Sequence, residues 1–251
     1  MLLPSYNLFL GDGGLIRRVV KNIVANALKF THDGYVKLDV SHIRRPYGAN
    51  LRFVVTDSGD GFTQEELVEN LSHVNSYGLG VCKNIVESMG GFLIAKSEKG
   101  FGTVVSFSVP LKVLDERSLI QLEHRDKIRA VAYFLDEKYK NESYRQCYRD
   151  FINDFGNVMN VRYHAFDDFD RMKSHLAHGT TTHCFIGKSE YLSNKDYFDS
   201  ISEKLRLVVV IDYLDKEGLE GVKTLRKPFY TLAIANILNE ASFESEDSDF
   251  N

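Results

Sequence analysis

Polar side chains suited to phosphate and metal chemistry recur along one stripe of the first predicted helix. Asn22, Asn26 and Lys29 are spaced by four and three residues, which places them on one face of a helix. An amide oxygen ligates a hard cation such as Mg²⁺, and an ammonium group one turn further meets a phosphate oxygen as a point charge. The alternative is a solvent-facing stripe of an amphipathic helix, so the pattern needs support from the rest of the chain.

Three glycine-containing turns accompany this stripe. The segment 57–61 (DSGDG) follows a strand-like run, 78–80 (GLG) precedes a helix, and 100–103 (GFGT) joins two strands. A backbone without Cβ atoms approaches a ligand closely, and a helix N-terminus offers unpaired N–H groups to an anion. Each segment alone is more often a turn than a site. Their candidate site residues are Asp57, Gly59, Gly61, Gly78, Leu79, Gly80 and Thr103.

The elements that must position these residues can be predicted from periodicity. Apolar residues recur every three or four positions over residues 14–30, which predicts a helix that is ended by the segment 31–34 (THDG), with Gly34 as a good C-terminal breaker. Residues 35–40 and 51–56 alternate as strands around a turn at 46–48, which predicts a hairpin-like pair. The remaining elements predicted here are a helix capped at Thr63, a helix over 79–89, and strands over 92–97 and 103–109, closed by Pro110.

The second half of the chain has a different pattern of predicted elements. Residues 112–127 are charged and helix-prone, which predicts a linker. Beyond it strands alternate with helices, a pattern typical of a doubly wound parallel sheet. The predicted strands are 128–135, 158–165, 182–186, 206–211 and 222–226, and the predicted helices lie near 144–155, 169–177, 197–205 and 229–239. The acidic, serine-containing tail over 241–251 is expected to be solvated.

Composition excludes several classes of function. A chain of 251 residues, 43% hydrophobic and 26% charged, suits two globular domains. With 31 basic and 35 acidic residues and a net charge of −4, it has no electrostatic footprint for a nucleic acid or an anionic membrane. The longest aliphatic run is about five residues, where a membrane span needs roughly 20. Three cysteines without CxxC spacing imply neither a disulfide framework nor a zinc site, so a reducing cytoplasm is expected.

Four segments, in order, resemble the ATP-binding domain of bacterial sensor histidine kinases, in the superfamily of gyrase, HSP90, histidine kinase and MutL ATPases. RRVVKNIVANALKFTHDG is similar to the N box, DSGDGF to the G1 box, YGLGVCKNIVESMGG to the G2 box and SEKGFGTVVSFSVPL to the closing strands. The resemblance covers residues 3–111 and implies a two-layer α/β sandwich with a mixed sheet. Because residues 3–12 resemble the segment just before the N box, the domain is expected to be truncated at its N-terminus.

The resemblance also implies a role for each candidate residue. Asp57 would accept a hydrogen bond from the exocyclic amine of adenine, and Thr103 would lie near the base through water. Asn26 would ligate Mg²⁺, Asn22 would lie near the γ-phosphate, and Lys29 would touch phosphate. ATP and Mg²⁺ are therefore the implied cofactors, and positioning with charge neutralisation would supply the catalysis. The loops around adenine and phosphates would be shaped by Gly59, Gly61, Gly78, Leu79 and Gly80.

The chain departs from the family upstream of this domain and in the lid over the triphosphate. The phosphoacceptor histidine and its dimerising helices are not found, and His124, in the context QLEHRDK, is interpreted as a linker residue. The lid segment 57–78 is short, so turnover is expected to be affected more than binding. Tyr77 replaces the small threonine common in the family and is expected to crowd the phosphates.

Residues 128–240 resemble a receiver domain, the flavodoxin-like partner that accepts phosphate on aspartate in hybrid kinases. Lys227-Pro228-Phe229 matches the segment after the last strand. The pair Asp136-Glu137 takes the place of the acids after the first strand, either as a magnesium pair or as ordinary surface acids.

The phosphoacceptor of such a domain is missing. Gly187 or Lys188 stands where the acceptor aspartate would end the third strand, and the next carboxylate is Glu190. The hydroxyl expected after the fourth strand is replaced by Ile211 and Asp212. The resemblance therefore implies a pseudo-receiver with an interaction or scaffold role.

The sequence thus predicts the ATP- and Mg²⁺-binding catalytic portion of a two-component hybrid sensor histidine kinase. It would transfer the γ-phosphate to a histidine outside this chain, on a phosphoacceptor-histidine domain, with a response regulator as a further partner. This portion is expected in the cytoplasm, and its parent kinase could be anchored in a membrane. The predicted domains are the ATPase over 1–111, the linker over 112–127, the pseudo-receiver over 128–240 and the tail over 241–251.

Two other functions compete with this interpretation. The first is a catalytically inactive regulatory or scaffold module, favoured by the truncated start and short lid and opposed by the intact Asn26, Asp57 and paired glycines. The second is a gyrase-like or MutL-like ATPase. It is disfavoured because those proteins use a glutamate where Asn22 stands and carry a transducer domain that is not found in this sequence.

Overall fold

The computed structural model describes residues 8–72, 78–117, 121–135, 140–213, 215, 219, 221–228 and 231–240. These residues fall into two compact units, one of residues up to 117 with 140–147 and one of 121–135 with the residues from 148 onward. Among the helices of these ranges, none is both long and apolar enough to cross a membrane.

The first unit is a two-layer α/β structure. Its elements are β1 (Leu8–Leu10), α1 (Gly13–Phe30), β2 (Val36–Arg45), β3 (Gly48–Asp57), α2 (Gln64–Ser72), α3 (Leu79–Ser88), β4 (Phe92–Glu98) and β5 (Gly102–Asp115). The strand order is β1-β5-β3-β2, and β4 also pairs with β5. Every described strand pair here is antiparallel, so the predicted mixed sheet is wrong. The reason is that tight turns join β2 to β3 and β4 to β5, and tight turns make antiparallel pairs.

The helices of this unit cover one face of its sheet. Val19 and Ile23 of α1 pack in one core with Val86 of α3 and the inward side chains of the strands. Phe53 and Phe107 lie opposite one another on β3 and β5, and their rings stack with centroids 4.6 Å apart. Burying each such side chain contributes about 2 kcal/mol, which fixes α1 and α3 over the sheet.

Helix α1 has the predicted length and ends where the sequence predicted. Asp12 caps its start, with Leu15 N–H donating to Asp12 Oδ1 at 2.9 Å. The helix ends at Phe30 because Thr31 takes an extended conformation, and the Thr31 hydroxyl donates to the Ala27 carbonyl at 2.7 Å. The C-cap is therefore Thr31, the first residue of the segment predicted to end the helix.

Strand β5 runs past Pro110, the predicted end of the unit. β4 pairs with β5 as far as Ser108, and β1 pairs with it from Lys112 to Asp115. Pro110 lies between these two partners, so its missing N–H costs no hydrogen bond on that side of the strand. Residues 112–115 of the predicted linker are therefore strand, and none of its other described residues is helical.

The second unit is built on a five-stranded sheet in the order β10-β9-β8-β6-β7. All of its described strand pairs are parallel, which confirms the sheet predicted from the alternation of strands and helices. Its elements are β6 (Arg129–Tyr133), α4 (Glu142–Met159), β7 (Arg162–Phe166), α5 (Phe169–Leu176), β8 (His183–Gly187), α6 (Lys188–Ser193), α7 (Lys195–Ile201), β9 (Arg206–Ile211), β10 (Lys223–Arg226) and α8 (Thr231–Asn239). Helix α4 is divided between the units, with its residues up to Cys147 grouped in the first.

Two predictions for this unit are corrected. The predicted strand start at Val158 is wrong because α4 continues to Met159, whose side chain is buried. Helix α6 was not predicted, since its six residues are too few to show a helical period.

Both faces of the parallel sheet are covered. Met172 of α5 and Phe198 of α7 pack with Ile186 on one face. On the other, the rings of Phe155 from α4 and Phe185 from β8 have centroids 5.5 Å apart. Strand β9 is accordingly buried at nearly every position, as expected of a strand between two helical layers.

Candidate functional site

A cavity of about 500 Å³ lies in the first unit where α1, the bend after β3, the start of α3 and the β4–β5 turn meet. Its volume is in the range of small-molecule sites. Ile23, Ala27, Val55 and Val105 supply apolar walls. The predicted site residues that line it are Asn26, Lys29, Asp57, Gly61, Gly78, Leu79 and Thr103.

Backbone hydrogen bonds hold the bend 57–62 against the end of α1. Asp60 N–H donates to the Phe30 carbonyl at 3.0 Å, and Ser58 N–H donates to the Tyr35 carbonyl at 3.2 Å. Gly59 does not line the cavity but lies so close to Phe30 that a Cβ atom would collide with the Phe30 carbonyl. The amide-bearing helix and the acid-led bend therefore form two walls of one cavity.

Asp57 ends β3 at the cavity with 9% of its surface exposed. Its Oδ1 accepts hydrogen bonds from Gly59 N–H at 3.0 Å and from Thr103 N–H at 3.2 Å. Burial raises the pKa of this carboxyl group, and the two N–H bonds oppose that rise. Because both bonds use Oδ1, Oδ2 is the oxygen that Asp57 presents to a ligand.

The β4–β5 hairpin adds a pair of hydroxyl groups. Ser97 and Thr103 lie opposite one another, with Oγ and Oγ1 2.9 Å apart. Ser97 Oγ also accepts from Phe62 N–H at 2.7 Å and donates to the Gly102 carbonyl at 2.9 Å. Ser97 was missed by sequence reasoning, and the hairpin register that sets it opposite Thr103 was the signal that would have found it.

Two glycines bring the bend and the hairpin turn into backbone contact. Gly61 and Gly102 have φ values of +61° and +101°, in the region that favours glycine. A Cβ atom at Gly61 would collide with the Glu98 carbonyl, and one at Gly102 would collide with the Asp57 carbonyl. Larger residues at either position would push the acid-led bend away from the hairpin.

Helix α3 presents its N-terminus to the cavity. Gly78 is its N-cap and, within the described residues, makes no side-chain cap, so the first N–H groups of the helix are available to an anion. Leu79 is 5% exposed and lines the cavity, whereas Gly80 is buried within the helix and does not.

The polar stripe of α1 is divided in the structure. Asn26 and Lys29 line the cavity, but Asn22 does not. The Asn22 side chain contacts the thiol of Cys82 in α3, whose pKa is raised by burial and lowered in part by this contact. Of the residues predicted to meet metal and phosphate, Asn26 and Lys29 are thus brought together, and Asn22 lies one turn away.

The donor set fits Mg²⁺ only when a ligand supplies more oxygen atoms. In the described part of the chain, no group of three or more His, Cys, Asp or Glu residues is placed to hold a metal. Mg²⁺ keeps several waters and is often bound through one or two protein groups plus substrate phosphates. Asn26, at the cavity wall, fits that second arrangement.

The segment between the bend and α3 carries the predicted capped helix. Thr63 N–H donates to Glu66 Oε2 at 2.9 Å, and Glu66 N–H donates to Thr63 Oγ1 at 3.3 Å, which is a capping box. Glu66 also pairs with Lys99 of the β4–β5 turn at 3.5 Å. Tyr77 and its predicted crowding of the phosphates lie outside the described residues.

A buried glutamate lies at the carboxyl ends of the parallel strands in the second unit. Glu190 is 3% exposed, and its Oε1 accepts from Leu135 N–H at 2.8 Å. Ser189 Oγ donates to Oε2 at 2.6 Å. A Cβ atom at Gly187, the last residue of β8, would collide with this carboxylate. The Glu190 carboxylate therefore occupies the space above the end of β8.

Ion pairs surround the same sheet edge. Lys227, after β10, pairs with Asp212, after β9, with Nζ and Oδ1 3.0 Å apart. Lys188 pairs with Asp215 at 3.0 Å. The acid pair Asp136-Glu137 and the residue Phe229 lie outside the described residues, as does the tail over 241–251.

Residues 11–113 match the family model described as histidine kinase-, DNA gyrase B- and HSP90-like ATPase. This range contains every residue that lines the cavity. The match is to a family of ATPases and covers most of the first unit, but less than half of the chain.

The curated relatives include sensor proteins. Sensor protein EvgS of Escherichia coli (strain K12) is 29% identical over 138 residues, which are 50% of this chain and 11% of that protein. Virulence sensor protein BvgS of Bordetella bronchiseptica is 34% identical over 117 residues, 40% of this chain and 9% of that protein. Aerobic respiration control sensor protein ArcB of Escherichia coli (strain K12) is 31% identical over 121 residues, 43% of this chain and 15% of that protein. The chain thus spans only a small part of the relatives it matches.

Among solved structures, the full-length crystal structure of ShkA in complex with AMPPNP is similar in fold. It aligns with a TM-score of 0.63 at 22% identity and covers 97% of this chain and 52% of that chain.

Proposed function

We propose that this chain is the ATP- and Mg²⁺-binding catalytic portion of a hybrid sensor histidine kinase, transferring the γ-phosphate to a histidine outside the chain. Asp57 would receive the adenine amine, and Asn26 would hold Mg²⁺ together with the phosphates. Lys29 and the start of α3 would neutralise phosphate charge. A phosphoacceptor-histidine domain and a response regulator are the proposed partners, and the cytosol is the proposed compartment.

One observation carries this proposal. The cavity has a carboxylate on one wall, at Asp57, and an amide beside a cation on another, at Asn26 and Lys29. A purine nucleotide with a metal-bound polyphosphate needs both walls, one for its base and the other for its phosphates. Phosphoryl transfer asks for little beyond such positioning and charge neutralisation.

Titration of the purified chain with ATP tests the site. We expect Mg²⁺ to assist binding, and Asp57→Asn or Asn26→Ala to weaken it more than tenfold, or by over about 1.4 kcal/mol. Asn84→Ala, at an exposed position of α3, is the matched control and should leave affinity unchanged. If neither Asp57→Asn nor Asn26→Ala alters affinity, the assignment is wrong.

A catalytically inactive regulatory module is the second candidate. It is favoured by Asn22, which contacts Cys82 instead of lining the cavity. Incubation with γ-labelled ATP and a separately produced phosphoacceptor-histidine domain separates the two candidates. Labelled histidine supports the kinase, whereas ATP binding with neither transfer nor hydrolysis supports the regulatory module.

For the second unit, we propose a receiver-like domain that cannot be phosphorylated on aspartate. Numbered within the unit, its strand order is 2-1-3-4-5, the order of flavodoxin-like doubly wound folds. In such sheets ligands bind outside the carboxyl ends of the strands. At that place Gly187 ends β8, Lys188 follows it, and the Glu190 carboxylate fills the space above Gly187.

Acetyl phosphate and beryllofluoride test this second assignment. Because no acceptor carboxylate ends β8, we expect neither reagent to alter the fluorescence or thermal stability of the second unit in the presence of Mg²⁺. A stable acyl-phosphate on this unit, detected by mass spectrometry, would refute the assignment.

A further inference from the structure

The hydroxyl groups of Ser97 and Thr103 have only one consistent arrangement of protons. A hydroxyl group donates one hydrogen and accepts up to two. The Gly102 carbonyl can only accept, so the 2.9 Å contact uses the Ser97 proton. Phe62 N–H can only donate and takes one lone pair of Ser97 Oγ at 2.7 Å. The 2.9 Å contact between Ser97 and Thr103 must then be made with the Thr103 proton.

This arrangement fixes what Thr103 offers to the cavity. With its proton committed to Ser97, Thr103 Oγ1 presents lone pairs only. Asp57 Oδ2 is likewise an acceptor, since Oδ1 receives the N–H groups of Gly59 and Thr103. Both side chains are more than nine-tenths buried, so an unmatched lone pair facing them is costly.

Two neighbouring acceptors discriminate between purines. The exocyclic amine of adenine carries two hydrogens, one for each acceptor, directly or through a water that donates. A 6-oxopurine places a carbonyl oxygen at the same position and sets lone pairs against lone pairs. A site that hydrogen-bonds one group rejects the analogue that lacks it.

We propose that Ser97 is a positioning residue that sets base specificity by taking the Thr103 proton, so that the cavity accepts a 6-aminopurine and rejects a 6-oxopurine. This inference rests on the proposed nucleotide site. Ser97 does not itself touch the base. It acts through Thr103 and through Phe62 N–H, which it also anchors.

The test compares the affinities of ATP and inosine triphosphate for the intact chain and for Ser97→Ala. In the variant, the Thr103 hydroxyl is released to donate to the 6-oxo group. The ATP-to-inosine preference should fall about fivefold, the scale of one neutral hydrogen bond. Ser58→Ala is the matched control, because Ser58 Oγ accepts from Tyr35 N–H at 2.9 Å and anchors the same bend without touching Thr103. It should weaken both nucleotides alike and keep their ratio.

Thr103→Val is an independent test of the same inference, and it remains usable if Ser97→Ala fails to fold. It should weaken ATP several-fold and leave inosine triphosphate unchanged. Equal weakening of both nucleotides would mean that Thr103 donates to the base and would overturn the inference, as would an unchanged ratio in Ser97→Ala. If the unaltered chain binds neither nucleotide, the proposed function itself fails.

Discussion

At the scale of single residues, two opposing effects act on the pKa of Asp57. Burial raises its pKa, while the N–H groups of Gly59 and Thr103 favour the charged form. The net direction is upward, so folding makes ionisation of this carboxyl group less favourable than it is in the unfolded chain. The corresponding stability is present below the unfolded pKa of 3.8 and is lost as the pH rises through the folded pKa.

Asp57→Asn should therefore separate stability from binding. The amide oxygen can still accept the two N–H bonds, and the ionisation cost disappears, so the melting temperature of the nucleotide-free chain at pH 7 should equal or exceed that of the parent. Binding should be lost because an N–H group now faces the adenine amine. Thermal melting with and without ATP measures both effects. Asp33→Asn, at an exposed position, is the control, and a fall of several degrees in the nucleotide-free variant would contradict this account.

The sequence predicted residue types better than residue contacts. Asn26, Asp57 and Thr103 could be predicted as candidate site residues because they lie in motifs whose order along the chain is itself informative. Ser97 and Glu190 could not, because their roles depend on the register of a hairpin and on the packing of a short helix over a strand end. Asn22 lies on the same helical stripe as Asn26, yet its side chain contacts Cys82 of the neighbouring helix α3 and not the cavity.

At the scale of elements, the turn between β4 and β5 decides how closely the bend approaches. Gly100 and Gly102 both have positive φ values, +82° and +101°. Only Gly102 lies against the Asp57 backbone, because nothing lies within 4 Å of a Cβ atom placed at Gly100. The two glycines therefore share backbone strain but not steric contact.

Alanine substitution at these two glycines should give unequal results. Gly100→Ala should cost about 1 kcal/mol of unfolding free energy, from backbone strain alone, and leave ATP affinity intact. Gly102→Ala should cost more and weaken ATP binding at least tenfold, because the bend must move. Urea unfolding and ATP titration measure the pair. Equal losses of affinity would show that the close approach has no effect on the site.

Element boundaries failed where a distant partner decided them. Pro110 is a sound local signal for the end of a strand, but β5 continues because Leu8–Leu10 lies along its second half. No periodicity within 103–115 contains that information. The helix over 13–30 was predictable because its own apolar spacing forms the buried stripe.

At the scale of the whole molecule, the two units differ in what their sequences reveal. The first was recognisable by motifs, and the second by its alternation of strands and helices. That alternation was sufficient for a parallel sheet because parallel strands need crossover helices. It was not sufficient for the chemistry at the sheet edge, which depends on a few side chains.

A buried histidine should make the second unit sensitive to acid. His183 is fully buried, its Nδ1 lies 2.9 Å from Thr182 Oγ1, and burial lowers its pKa to about 4, with Arg206 adding to the effect. In the unfolded chain the pKa of this histidine is 6.5, so its contribution to the free energy of unfolding is complete above pH 6.5. That contribution declines as the pH falls towards 4, by about 3 kcal/mol at most.

Urea unfolding from pH 7 to pH 4 measures this decline in the transition of the second unit. His183→Gln should flatten the dependence, whatever its effect at pH 7, because it removes the titrating group. His178→Gln, at an exposed position, should retain it. An unchanged slope in His183→Gln would assign the acid sensitivity to other groups.

The contact between Gly187 and Glu190 has a consequence for descent. On the proposed receiver-like assignment, a lineage carrying this chain cannot recover an acceptor at position 187 by one codon change. Aspartate at 187 would strike the resident carboxylate, and loss of Glu190 alone would strip the Leu135 amide of its partner. Reversion requires two changes, each harmful without the other, so the silenced state is protected by an evolutionary ratchet.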